Sequence, residues 1–210
     1  ECLRSGLRVL LDNGVTPSSV RAVGVSGQLN GVVLVDTDKH PVRDAIIWLD
    51  KRASCESDQI NHAVGQHLRQ NMFSLAGPIH SVSKLIWLQK HEPNVIARAY
   101  KAVAPKDYIN LRLSGVFSTD ASDASATLML DLRTRKWALD MLHEIGLDIR
   151  LLPDVVESPT VIGKVTESAA VETGLPAGIP VVAGAGDMAA LAVGSGTVAD
   201  GRAIATIGTA

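Results

Sequence analysis

The 210-residue sequence has few of the residues that mark several classes of protein. Its two cysteines, Cys2 and Cys55, have no repeated spacing and its six histidines are scattered, so we predict neither a disulfide framework nor a metal site. A formal net charge of -2 lacks the basic excess that nucleic acids and membrane surfaces attract. No apolar run reaches about 18 residues, and no basic start followed by an apolar segment opens the sequence. We therefore expect a cytoplasmic protein with small-molecule partners, no nucleic acid and no membrane.

The sequence does have enough apolar residues for a sizeable core, since 46% of its residues are hydrophobic and 20% are charged. Strand patterns at 20–27, 31–36 and 44–50, with short connections, predict an antiparallel meander. Helices are predicted at 3–12, 52–70, 81–99, after Pro105, at 134–146 and at 166–175, a loop at 151–165, and a last strand at 203–208. This order predicts an α/β fold with a mixed sheet. Because the first and last patterns lie inside elements, we expect a domain that is incomplete at both ends.

The stretch IPVVAGAGDMAAL, residues 179–191, indicates a strand, a turn of small residues and a helix. It spells GxGxxA, a dinucleotide fingerprint, but the acidic residue expected about 20 positions later is missing from the end of the next strand. A carboxylate at the turn, Asp187, would also repel a pyrophosphate. Asp187 is therefore interpreted as a helix N-cap, as an ionised carboxylate suited to accept a proton from a substrate hydroxyl, or as both.

Several separated segments add a resemblance to a known family. SKLIWLQKH, residues 83–91, resembles the first signature of the FGGY family of carbohydrate kinases, and Lys84 and Trp87 fall on its lysine and tryptophan. The resemblance continues over nearly the whole chain in the order and spacing of the xylulose kinases of that family. The other matching segments are VGVSGQLNGVVLVD, AIIWLDKR, PKDYINLRLSG, STDASDASATLMLDL and GAGDMAALAVGSG.

The resemblance implies a fold and a reaction. Members of this family have two actin-like domains built on a ribonuclease H-like core, and they transfer the γ-phosphate of ATP, with Mg²⁺, to a hydroxyl of a sugar or polyol. We accordingly expect residues 1–203 to form most of the N-terminal sugar-binding domain, without its first strands, and residues 204–210 to begin the C-terminal nucleotide-binding domain. Gly208 and Thr209 fall on the start of a loop that binds the nucleotide phosphates. The chain alone is expected to be inactive, and its exposed strand edges are compatible with a homodimer.

The same resemblance assigns roles at the sugar site. Asp187 falls on the base that deprotonates the attacking hydroxyl. Leu29 and Asn30 stand where xylulose kinases usually have Met-His and glycerol kinases have Arg-Glu, although a hairpin-turn role explains Asn30 equally well. Met188 stands where xylulose kinases commonly have an asparagine that binds the sugar. We therefore expect a xylulose kinase-like site. Because it differs from the usual xylulose kinase residues at these positions, another ketose, a polyol or a deoxy sugar is an alternative substrate. A non-catalytic sugar-binding module is the alternative function.

Four other residues receive structural interpretations. Lys84 and Trp87 are three residues apart on one face of a predicted helix. Asp120 and Asp123 have the spacing of turn and capping residues.

Overall fold

The computed structural model describes residues 2–206. The helices are α1 (Cys2–Asp12), α2 (Ser54–Asn71), α3 (Ser81–His91), α4 (Pro93–Arg98), α5 (Pro105–Ser114), α6 (Ala121–Ala126), α7 (Leu139–Glu144), α8 (Glu167–Thr173) and α9 (Asp187–Gly194). The strands are β1 (Val23–Gly27), β2 (Val33–Val35), β3 (Lys101–Val103), β4 (Ser118–Asp120), β5 (Leu130–Asp131), β6 (Lys136–Trp137), β7 (Asp154–Val156), β8 (Val161–Lys164) and β9 (Pro180–Gly186). The predicted α/β class with a mixed sheet is confirmed, and within these residues no helix is both long enough and apolar enough to cross a membrane.

The mixed sheet that carries the candidate site has the strand order β1-β9-β8. Strands β1 and β9 are parallel, with Gly27 beside Gly186, whereas β8 is antiparallel to β9. The carboxyl ends of β1 and β9 therefore meet at one edge, where residues 28–31 and helix α9 leave the sheet together. Ligands of α/β proteins typically bind at such an edge. The other pairs are β2 with β3 and β5 with β6, both antiparallel, and β4 with β7, which is parallel.

Local signals explain where the helices near this sheet begin and end. Helix α5 has Pro105 in its first turn and stops at Gly115, which has a φ of 77°. Helix α8 is capped by Thr166, whose side chain accepts the Ala169 N–H, and stops at Gly174 with a φ of 79°. Apolar side chains from α5, α8 and β9 then pack into one core cluster, so the sheet is supported from the side of these helices. A larger core lies between α2, α3 and α7.

The predicted antiparallel meander is wrong in its first pair, because β1 pairs in parallel with β9, and β2 pairs with β3. The 44–50 segment does lie antiparallel to the segment that contains β2, but only through the isolated bridge between Ile46 and Val32. The alternation of apolar residues identified extended segments, but it does not specify the partner of a strand.

Three other predicted elements differ from the structure. The helix expected at 134–146 is shorter because Arg135, with a φ of 57°, lies in a tight turn between β5 and β6, so α7 begins only at Leu139. The loop expected at 151–165 contains β7 and β8. Of the strand expected at 203–208, residues 203–206 are neither helix nor strand, and residues 207 and 208 lie outside the described residues.

Candidate active site

Asp187 directly follows the last residue of β9. The strand continues through Gly186, which is also the N-cap of α9, so Asp187 is the first residue of the helix. The expectation that Asp187 itself is the N-cap is wrong by one residue, because the small residues belong to the strand rather than to a turn. Its Oδ1 accepts the Met188 N–H at 2.8 Å. The side chain is exposed and its Oδ2 accepts no hydrogen bond within residues 2–206, which leaves that oxygen available to a ligand.

Two glycines allow β9 to approach its neighbours closely. Gly184 has a φ of 74°, and a Cβ there would collide with the carbonyl oxygen of Val25 on β1. A Cβ at Gly186 would collide with Cδ2 of Leu29. Leu29 therefore packs directly on the residue that precedes Asp187, so the segment after β1 lies against the start of α9.

A cavity of about 240 Å³ opens at this edge of the sheet. It is lined by Gln28, Leu29, Asn30, Trp48, Ile79, Asp187 and Met188. The structure thus brings together the four predicted site residues that it describes, whereas Gly208 and Thr209 lie outside the described residues. The walls are largely apolar, and their polar groups include one carboxylate and two side-chain amides. This composition is typical of a site for a small polar molecule.

Asn30 is held at the cavity through its backbone. Its φ of 63° lies in the left-handed region, which asparagine tolerates better than most residues. Its carbonyl oxygen accepts a hydrogen bond from Lys84 Nζ at 2.7 Å, and the same Nζ donates to the Ile47 carbonyl at 2.9 Å. Lys84 therefore joins the segments that carry Asn30 and Trp48, in agreement with the structural role expected of it. Within residues 2–206 the buried Oδ1 of Asn30 has no hydrogen-bond partner.

The surroundings of Lys84 are charged as well as buried. Burial lowers the pKa of Lys84 to about 8, although the nearby Asp50 carboxylate opposes the shift. Asp50 forms an ion pair with Arg52 at 2.7 Å, and the hydrogen bond from Arg52 lowers the pKa of Asp50 to about 2. The Arg52 guanidinium lies 4.9 Å from the ring centre of Trp87, so the expected structural role of Trp87 includes a cation-π contact.

A buried charge cluster, which the sequence did not predict, lies behind the cavity. Lys106 is fully buried, and its Nζ lies 2.5 Å from Asp107 Oδ1, 2.9 Å from Asp120 Oδ1 and 3.6 Å from Asp123 Oδ2. Asp120 is the N-cap of α6, as its spacing predicted, because its side chain accepts the N–H groups of Ser122 and Asp123. The cluster joins two separate segments, PKDY and TDASD, so no local pattern in the sequence indicates it.

One lysine cannot neutralise three buried carboxylates, and the pKa values reflect this. Burial raises the pKa of Asp123 to about 7, helped by the negative charge of Asp107, and burial likewise raises the pKa of Asp107. Burial alone would raise the pKa of Asp120 too, but the charge of Lys106 and the hydroxyl of Ser122 outweigh it, so that pKa is lowered. Asp120 is thus the carboxylate of the cluster that stays ionised beside Lys106.

Comparison with known proteins identifies the family of this chain. Residues 1–194 match the model of the FGGY family of carbohydrate kinases, N-terminal domain. The chain belongs to the FGGY family of carbohydrate kinases. It is 37% identical over 190 residues to xylulose kinase of Escherichia coli (strain K12), which covers 90% of this chain and 39% of that protein. It is 32% identical over 212 residues to autoinducer-2 kinase of Yersinia enterocolitica, which covers 100% of this chain and 39% of that protein.

A solved structure extends the comparison of this FGGY chain to the fold. The crystal structure of xylulose kinase from Rhodospirillum rubrum is similar with a TM-score of 0.81 and 28% sequence identity, over 86% of this chain and 37% of that chain. The ribonuclease H-like, actin/hexokinase-type fold expected from the resemblance is therefore confirmed. The chain spans about two fifths of the length of the relatives it matches. The expected boundary between residues 203 and 204 stays a prediction.

Proposed function

We propose that the protein containing this chain transfers the γ-phosphoryl group of ATP to a hydroxyl of a sugar or polyol, with D-xylulose as the first acceptor to test. The observation that carries the proposal is the cavity in which Asp187 meets Leu29, Asn30 and Met188 at the carboxyl ends of two parallel strands. Membership of a carbohydrate kinase family supports the reaction class. A cytoplasmic location accompanies the proposal, because ATP is the phosphoryl donor.

The chemistry required of this chain is limited. The Asp187 carboxylate takes the proton of the acceptor hydroxyl, the oxygen forms a bond to the γ-phosphorus, and the bond between that phosphorus and the bridging oxygen breaks. ADP leaves with the electron pair of the broken bond, and Asp187 later releases its proton to water. Phosphoryl transfer depends mainly on positioning and on stabilisation of charge, so one well-placed carboxylate is sufficient on the acceptor side. The exposed side chain of Asp187, whose Oδ2 accepts no hydrogen bond within residues 2–206, provides that group.

Mg²⁺ is expected to arrive with ATP rather than to occupy a site built by this chain. Within residues 2–206 no group of three or more acidic, histidine or cysteine side chains has an arrangement that could hold a metal ion. Mg²⁺ in kinases is usually held by one or two carboxylates together with substrate phosphates and water. When bound with ATP, the ion would neutralise the charge of the phosphates, and Asp187 stays available for the acceptor proton.

A second candidate is the same reaction on a different acceptor. Met188 is an apolar side chain, 49% exposed, next to the proposed base, where it offers no hydrogen bond to a sugar hydroxyl. The cavity is therefore less polar there than a site with asparagine would be. The similarity to a relative named autoinducer-2 kinase also favours acceptors other than D-xylulose.

Replacing Asp187 by asparagine in the complete gene product tests the proposal. We expect turnover to fall by about 10²–10⁴, the contribution of a general base, while sugar affinity measured by calorimetry stays within several-fold. Asp140→Asn is the matched control, because Asp140 is also an exposed aspartate in the first turn of a helix, α7, and does not line the cavity.

The outcomes separate the proposed kinase from its rival. Unchanged turnover in Asp187→Asn would exclude Asp187 as the base. Sugar binding without phosphorylation of any ketopentose, polyol or deoxy sugar by the wild-type protein would instead indicate a non-catalytic sugar-binding module. A coupled ADP-release assay across these acceptors also ranks D-xylulose against the others.

A further inference from the structure

Gly186, the residue that precedes Asp187, is connected to the buried charge cluster through the side chain of Ser122. The Gly186 N–H donates to Ser122 Oγ at 3.1 Å, and the Ser122 hydroxyl donates to Asp120 Oδ2 at 2.5 Å. Asp120 is in turn paired with Lys106 at 2.9 Å. An uninterrupted chain of polar contacts therefore runs from the charged centre of the cluster to the residue before the proposed base.

The same cluster holds β9 three residues earlier. The Ala183 carbonyl accepts hydrogen bonds from Asn110 Nδ2 at 2.8 Å and from Lys106 Nζ at 3.4 Å. The last residues of β9 are thus bound at both ends, by α5 at Ala183 and by α6 at Gly186. Between these points Gly184 has a left-handed φ and no room for a side chain, so the path of the backbone is fixed by contacts rather than by local preference.

Ser122 is well suited to act as the last link. Asp120 is fully buried, it stays ionised beside Lys106, and it also accepts the Ser158 hydroxyl at 2.7 Å. A carboxylate in this state orients the Ser122 hydroxyl as a donor toward itself, which leaves an oxygen lone pair for the Gly186 N–H. The hydrogen bond then sets the direction in which the chain enters α9, and with it the position of the Asp187 carboxylate.

We propose that Ser122 is a positioning residue for phosphoryl transfer, which aims Asp187 at the acceptor hydroxyl through the Gly186 peptide and is itself held by Asp120 and Lys106. This inference rests on the proposed function, because it assumes that Asp187 is the base. A slight misplacement of the base should lower kcat more than it weakens substrate binding, since the acceptor is held mainly by other groups.

The test compares three variants of the complete gene product. In Ser122→Ala, which removes only the hydroxyl, kcat should fall about tenfold while the sugar KM changes by less than about threefold. In Ser122→Thr most of the kcat should return, because the hydroxyl is kept and the added methyl has space in the cavity of about 220 Å³ that Ser122 lines. Ser125→Ala is the control, because Ser125 lies on the same helix and its hydroxyl donates to the Ser122 carbonyl rather than to β9. It should keep the wild-type kcat.

Amide hydrogen exchange supplies a readout that does not depend on activity. The peptide that contains residues 183–190 should exchange faster in Ser122→Ala than in the wild type and in Ser125→Ala, whereas peptides from α2 and α3 should be unchanged. Faster exchange throughout the protein would mean that the substitution acts on folding, and would overturn the inference.

The remaining outcomes distinguish the inference from the proposed function. If Asp187→Asn is inactive and Ser122→Ala keeps the wild-type kcat, the positioning role is refuted and the proposed function stands. If the wild type phosphorylates no acceptor, the proposed function fails. The hydrogen-exchange comparison then still decides whether Ser122 holds the β9–α9 junction.

Discussion

Replacing Asp123 by asparagine should remove a pH-dependent cost from the folded protein. Asp123 is 1% exposed, and burial raises its pKa from 3.8 to about 7. The folded protein therefore binds more protons than the unfolded chain between these two pKa values. The stabilising contribution of this group is complete below the unfolded pKa and is lost as the pH rises through 7.

The size of the effect follows from the shift. A difference of about three pKa units corresponds to about 4 kcal/mol at pH 8, where the unfolded carboxyl is ionised and the folded one must ionise in a buried site. Between pH 5 and pH 8 this cost grows by about 2–3 kcal/mol. Asparagine has almost the same shape and carries no charge, so the variant avoids the growing cost, although it also loses the 3.6 Å contact of a carboxylate with Lys106.

Urea unfolding followed by circular dichroism at a series of pH values from 5 to 8 measures this difference. We expect the free energy of unfolding of the wild type to fall by about 2–3 kcal/mol relative to Asp123→Asn over that range. Asp140→Asn, which changes an exposed aspartate, should follow the wild type. Parallel pH dependences for the wild type and Asp123→Asn would refute the reasoning, because they would mean that Asp123 is ionised in the folded protein throughout.

Three further predictions concern the cavity and the strand beside it. Lys84→Met keeps the apolar part of the side chain but removes the Nζ that donates to the Asn30 and Ile47 carbonyls. Sugar affinity measured by calorimetry should therefore fall about tenfold, and an unchanged affinity would contradict the joining role. Met188→Asn adds a donor and an acceptor beside Asp187, so the ratio of kcat/KM for D-xylulose to that for a less hydroxylated acceptor should rise, and a constant ratio would show that residue 188 does not contact the sugar. Gly184→Ala should destabilise the protein by about 2 kcal/mol more than Gly178→Ala, since both glycines have a positive φ but only Gly184 lies against the Val25 carbonyl. Equal decreases in stability, measured by thermal unfolding, would count against this contact.

The sequence was most informative where one segment contains both a secondary-structure pattern and a candidate catalytic residue. The stretch 179–191 predicts a strand followed by a helix with Asp187 at their junction, and the structure has β9 and α9 there. Pro105 likewise marked the start of α5 correctly. These features depend on backbone preferences and on hydrophobic periodicity, which act over a few residues.

Strand partners were not predictable in the same way. The connection from β1 to β2 is short, and a short connection between extended segments usually indicates a hairpin. Here residues 28–31 instead turn away toward the cavity, with Asn30 in the left-handed region and its carbonyl bound by Lys84, 54 residues later in the sequence. The hydrogen bond from Lys84 thus holds Asn30 in the wall of the cavity, at the place where the sequence predicted a hairpin turn.

The residues that hold the site were hidden for a related reason. Asp120 and Asp123 have the local spacing of capping residues. This interpretation was correct for Asp120, which caps α6, and wrong for Asp123, which lies within α6 and accepts no hydrogen bond among the described residues. What it omits is the contact between Ser122 and Gly186, which joins residues 64 apart. Burying a lysine among three aspartates costs free energy, because each charged group loses its contacts with water. In this protein the cluster binds the final residues of β9 at Ala183 and, through Ser122, at Gly186. These contacts join residues that are far apart in the sequence, so local patterns did not predict them.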